Sequence, residues 1–249
     1  MAILVSLLLA VVYLLGGRRP VRLLGAPRRW NARRWRATAF FTGLVMVVGL
    51  LSGPADALAR QSFSARTAQL IGLLMVAAPL LVVGAPQARL LRAIGKRAEA
   101  HGSSLWVPLA VFVLFNAAVV LAFVPAIYQA TAEPGWPREL GQLVVVVLGY
   151  LFWSQVITQS PAPCRLSYLG RAVYLFLSSA QLRILGLVLG FAPASFYSVP
   201  LVDQQIAAGI VMVPGVLTDL VVLTVCLYLW LGQEDRRRMR QQRFQPRAG

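Results

Sequence analysis

Few residues in this chain have the type and setting to do chemistry, and most of those lie in or beside long apolar runs. Arg183 sits inside "SSAQLRILGLVLG" and Asp219 inside "GVLTDLVVL". A charge at membrane depth is expensive and marks either a neutralised pair or a path for protons or ions. Counted along their helices, Arg183 lies about 16 Å from the Ala172 end and Asp219 about 18 Å from the Leu231 end, at ~1.5 Å per residue. On sequential antiparallel helices these depths match, so an Arg183–Asp219 ion pair is expected. Its two readings are a contact that fixes helix register and an element of a transporter or channel for a small ion or solute.

A second group stands at the edges of apolar runs. "SFSARTAQLIGLLMVAAPLLVVGAP" (62–86) opens with Arg66, Thr67 and Gln69, and Asp203-Gln204-Gln205 leads into another run. Three methionines, Met46, Met75 and Met212, carry thioethers of the kind that suit Cu(I), although methionine in an apolar helix is usually packing filler. The chain has one histidine, His101, and two cysteines, Cys164 and Cys226, too far apart in sequence for a CxxC pair. It has no Ser/His/Asp set, no HExxH and no phosphate-cradling loop, so an enzyme is not expected.

These residues must be positioned by helices. Of 249 residues 58% are hydrophobic and 13% charged, against roughly a quarter charged in soluble domains. Seven apolar blocks stand out: 2–15, 37–51, 67–84, 105–130, 140–158, 172–191 and 207–231. About 20 residues of helix cross a bilayer, and inside lipid the backbone must satisfy itself. The expectation is an all-α integral membrane protein, a single seven-helix domain over 1–231 with a basic tail over 232–249. Asn116 and Gln155 are expected to hydrogen-bond between helices, and Pro79, Pro108, Pro125 and Pro214 to kink them and free carbonyls.

The net charge of +16 does not point to nucleic acid. Alternating loop assignment puts 20 of the 24 basic residues on one side. Arg60, Arg66 and Arg138 fall on the other, and Arg183 within a helix. By the positive-inside rule the N-terminus lies outside and the C-terminus in the cytoplasm, and the basic loops suit anionic headgroups of the bilayer. The first run lacks a basic leader and is read as an uncleaved helix. This topology puts His101 in the cytoplasm.

Several phrases together resemble one family. "SFSARTAQLIGLLMVAAPLLVVGAP", "FNAAVVLAFVPAIYQA", "LGYLFWSQVI" and "DQQIAAGIVMVPG" are similar to the CtaG family of cytochrome c oxidase assembly factors, the multi-helix membrane family. The resemblance implies a multi-pass protein of a bacterial plasma membrane, seven helices, a haem-copper oxidase subunit as partner and copper as cargo. It also implies histidines along the outer boundary: H-x-x-x-H opening the third helix, W-H-x-P in the fourth and a further pair before the fifth. Here those places read Arg66 and Leu70, Ala122-Phe123-Val124-Pro125, and "GWPRELGQL". The expected protein is therefore a scaffold or divergent member without a histidine copper site, with Asp203, Gln204, Gln205, Arg66 and Gln69 as the family-motif residues of the outer face. Arg66 is expected to contact a headgroup or a carboxylate such as Asp56 or Glu133.

Overall fold

In the computed structural model the described residues are 11, 29–84, 105–157 and 166–244, with backbone alone at 29–33, 168 and much of 214–244. All their regular secondary structure is helical, with no strand. We label the helices α1 (Arg29–Leu51), α2 (Gly53–Gln61), α3 (Phe63–Val83), α4 (Trp106–Ala122), α5 (Pro125–Ala130), α6 (Trp136–Val156), α7 (Tyr168–Gly190) and α8 (Leu201–Phe244). Four stretches are long and apolar enough to cross a membrane: Arg34–Leu51, Phe63–Val83, Trp136–Val156 and Leu169–Gly190. The run expected over 2–15, the loop carrying His101, and Cys164 lie outside the described residues, as do the side chains of Asp219 and Cys226.

Glycine and proline set the breaks. α1 ends at Leu51, and Gly53 takes a left-handed φ of +66°, a conformation that glycine adopts without the penalty of a Cβ. Pro54 follows, in the first turn of α2, where its missing N–H costs nothing. The loop expected over 52–66 thus contains a helix. The run expected over 105–130 divides at Val124, whose backbone is extended (ψ 126°) ahead of Pro125, because the proline ring disfavours a helical residue before it.

α3 bends its own hydrogen-bond ladder. Leu73–Ala77 is a π-helical turn, in which the Ala78 N–H reaches back to the Leu73 carbonyl. The Leu74 carbonyl would then need a donor from residue 79, which is a proline and has none. Trp153 of α6, almost fully buried, supplies it: its indole Nε1–H donates to Leu74 O at 2.7 Å. A proline-freed carbonyl is met by the polar tip of a buried aromatic from the next helix.

The core forms two clusters. The larger joins α3, α4, α6, α7 and α8, with Phe115 stacked on Phe152 (centroids 4.1 Å) and Phe152 against Tyr174 (4.8 Å). The smaller packs α1 (Phe40, Leu44, Val47) on the middle of α3 (Leu73, Ala77, Leu81). α7 and α8 lie closely together: a Cβ on Gly186 would stand 2.3 Å from Met212 Cγ. Asn116, buried on α4, accepts from Ser178 Oγ (3.1 Å), and its backbone carbonyl accepts from Gln181 Nε2 (2.9 Å). Both donors lie on α7, the interhelical bonding expected of Asn116. The hydrogen bonds that Gln155 donates to Leu151 O (3.4 Å) and Ser154 Oγ (3.2 Å) stay within α6.

Candidate functional site

The family-motif residues gather at one end of the bundle, where α2, the start of α3, α5, the start of α6 and the start of α8 meet. The start of α3 is the focus. Ser62 is its N-cap, and its Oγ accepts from Ala65 N–H at 3.2 Å. Asp203 closes the same helix end from a distant part of the chain. Its carboxylate accepts from Phe63 N–H (2.7 Å), Ser64 N–H (3.2 Å) and Ser62 Oγ–H (3.0 Å). A carboxylate at a helix N-terminus satisfies amides that have no partner within the helix and sits at the positive end of the dipole. Asp203 lies in the first turn of α8, ahead of the apolar stretch from Ala207. Burial alone would raise its pKa, but the hydrogen bonds from residues 62–64 outweigh it and the net shift is downward.

Gln204 is fully buried and joins three segments. Its Nε2 donates to the Leu189 carbonyl near the end of α7 (2.8 Å), and its Oε1 accepts from Phe196 N–H (2.8 Å) and Ser195 Oγ–H (3.3 Å). Gln205, the next residue, is exposed. The three-residue motif therefore divides its work by helix geometry: successive side chains point to α3, to the α7–α8 connection and outward.

Asp56 ties α2 to α6. It accepts from Arg60 (2.8 Å) on its own helix, from Arg138 (2.8 Å) and from Gln142 (3.4 Å). Burial raises its pKa, and the Arg138 hydrogen bond and charge, with the Arg60 charge and a Gln69 hydrogen bond, more than reverse this and hold it below the ordinary value. Arg138 is only 6% exposed. It reaches Thr131 O through Nη1 (3.4 Å), while its Nε is buried with no hydrogen-bond partner. Gln69 Nε2 donates to Leu50 O, bracing α3 on the end of α1.

Arg66 meets neutral groups. It donates to the Tyr128 carbonyl (3.2 Å) and to Thr131 Oγ1, and its guanidinium lies 4.5 Å from the centre of the Tyr128 ring. The expected carboxylate contact with Asp56 is taken instead by Arg138. Around Arg66 the rings of Phe63, Tyr128 and Tyr197 pack together, Phe63 4.2 Å from Tyr197 and 5.1 Å from Tyr128. The Tyr197 hydroxyl donates to Phe123 O, at the break before Pro125. Burial, with Tyr128 beside it, pushes the Tyr197 phenol up to about 12, so it remains a donor at neutral pH.

The remaining candidates stand apart from this end. Arg183, half-buried, donates to Ser179 Oγ at 2.7 Å and lies 5.7 Å from the Phe176 ring centre, both on its own helix. Its expected partner Asp219 has its side chain outside the described residues. Met75 is buried in the larger core cluster, Met46 packs against the smaller one, and Met212 lies against Gly186.

At the two positions where the resemblance implies histidines stand Arg66, a cation, and Leu70, an aliphatic side chain. Among the described residues no three of His, Cys, Asp and Glu come together as a metal site would need.

Sequence reading missed the Asp56–Arg138 pair, the Asp203 cap and the Tyr197 and Trp153 contacts. For the cap a signal existed, a serine opening an apolar helix, but its partner stands about 140 residues away.

Among the described residues, an all-helical bundle with four helices long and apolar enough to cross a bilayer, tied at one end by the capped start of α3 and the Asp56 ion pairs, fits a membrane protein. Residues 11–233 match the cytochrome c oxidase caa3 assembly factor family (Caa3_CtaG), and the chain belongs to that family. Similar curated proteins are uncharacterized proteins of Mycobacterium leprae (26% identical over 90% of this chain) and Mycobacterium bovis (25% over 84%). The chain spans 38% and 36% of the length of these relatives. No solved structure matches.

Proposed function

We propose that the chain serves the biogenesis of a haem-copper oxidase in the plasma membrane of a bacterium, as a scaffold for an oxidase subunit and not as a carrier of copper on histidines. The family match over 11–233 supports the assembly role. The observation that carries the scaffold reading is Arg66, bound to Tyr128 O, Thr131 and the Tyr128 ring where the resemblance implies a metal ligand. The arginine-rich connections face the cytoplasm in this reading, and the Ser62–Asp203 end faces out. The seven-helix count rests on the apolar runs, with Trp106–Ala122 and the first part of α8 crossing beside the four longer spans. The domain ends near residue 231 and the tail continues as helix to Phe244.

Deleting the gene and measuring oxidase activity with and without added copper tests this. A deficit that copper leaves unchanged is the expected result. Normal activity in both media would refute the assembly role, and full rescue by copper would replace the scaffold with metal delivery.

A further inference from the structure

Beside the Arg66 cluster lies an open cavity of about 360 Å³, walled by α3, the end of α4, α5 and the start of α6. Its volume falls in the range of about 300–1,000 Å³ typical of small-molecule sites. The wall is mostly apolar, with Leu70, Leu73, Leu121 and Val145, and its charged side chains are Arg66 and Arg138.

Three observations bear on what fills it. First, charge: Arg66 and Arg138, two cations, both line the cavity. Arg138 has the Asp56 carboxylate, whereas Arg66 is held by a carbonyl, a hydroxyl and an aromatic face, none of which neutralises it. Second, Arg138 adds a guanidinium to the same wall but is 6% exposed and paired with Asp56 at 2.8 Å, which leaves Arg66 as the accessible cation. Third, the rim is apolar and open: Leu121, Leu140 and Val144 are 51%, 49% and 39% exposed, and Trp136 is 76% exposed at the start of α6. Such a rim opens toward hydrocarbon, and an exposed tryptophan is the residue of a membrane interface. A guanidinium pair suits phosphate or carboxylate, and the wall suits a chain of methylenes.

We infer that this cavity binds one anionic lipid, with its acidic head on Arg66, in the added positive field of Arg138, and its acyl chain along Leu70, Leu73, Leu121 and Val145. The inference rests on the chain lying in a membrane and not on its role in oxidase assembly. The test uses purified full-length protein in phosphatidylcholine vesicles doped with a phosphatidylglycerol carrying a photoactivatable acyl chain, so its outcome is independent of the deletion experiment.

The label should saturate and map to the cavity walls of α3, α4 and α6. Unlabelled phosphatidylglycerol should compete, and equal phosphatidylcholine should not. Arg66→Gln should weaken apparent affinity about tenfold, as loss of one charge-assisted contact does, and Arg66→Lys should retain most of it. Ala118→Trp, which fills the wall without touching a hydrogen bond, should abolish cavity labelling while thermal unfolding stays intact. It carries the test if Arg66→Gln does not fold. Label spread over all lipid-facing helices, equal competition by phosphatidylcholine or by inorganic phosphate, or unchanged labelling in folded Arg66→Gln or Ala118→Trp would overturn the inference.

Discussion

Replacing Asp203 by alanine should destabilise the bundle through one helix end. The carboxylate accepts three hydrogen bonds, at 2.7, 3.0 and 3.2 Å, from Phe63 N–H, Ser62 Oγ and Ser64 N–H. Losing a side-chain cap costs about 0.5–2 kcal/mol, and losing the favourable charge at the dipole about 0.3–1 kcal/mol more. Ser62 keeps its own bond to Ala65 N–H, so the helix start is not stripped entirely. The expected loss is about 2 kcal/mol, with Asp203→Asn near half of it, since one acceptor oxygen survives without the charge. Denaturant titration in detergent micelles, followed by helical circular dichroism, measures it. A double-mutant cycle with Ser62→Ala should show coupling of about 0.5 kcal/mol or more, since the two share one network. If Asp203→Ala unfolds within about 0.5 kcal/mol of the parent, the size of an ordinary surface substitution, the capping argument fails.

Two further outcomes follow from the same contacts. Trp153→Phe should cost about 1–2 kcal/mol by orphaning the Leu74 carbonyl. In a Pro79→Ala background, where residue 79 regains an N–H, that cost should shrink; an unchanged cost would refute the proline-freed carbonyl. Asp56 has a lowered pKa, so its contribution is fully present above the unfolded carboxylate value, about 3.9, and is lost as pH falls through the lower folded value. Thermal unfolding from pH 7 to 3 should therefore show an acid-side decline that is smaller in Asp56→Asn, and equal declines would count against the Asp56–Arg138 pair.

The helices were legible because a bilayer leaves the backbone no alternative, and runs such as 140–158 and 172–191 announce it by length alone. Their ends were less so. α6 begins at Trp136, with Pro137 in its first turn, a start signal that lies outside the apolar run. α8 begins at Leu201 and continues through the arginine-rich tail to Phe244, because a helix need not end where hydrophobicity does. At the site, residue identities could be read from the sequence and partners could not. Asp56 and Arg138 stand 82 positions apart, and only the assembled bundle brings them together. Pro79, by contrast, foretold a freed carbonyl, and the aromatic that meets it, Trp153, came into view only with the helices assembled.

The departure at position 66 is coherent with its surroundings. An arginine placed there alone would leave a half-buried cation with nothing to hold it. Here Tyr128 supplies a carbonyl and a ring, Thr131 a hydroxyl, and Asp56 is committed to Arg138. Pro125 helps to make this possible: by breaking the run at Val124 it starts the short helix α5, from which Tyr128 meets Arg66. The arginine is thus built into the end of the bundle by three neutral contacts. A cation held only by neutral groups favours an anion over a metal ion, whatever protein stands on the other side.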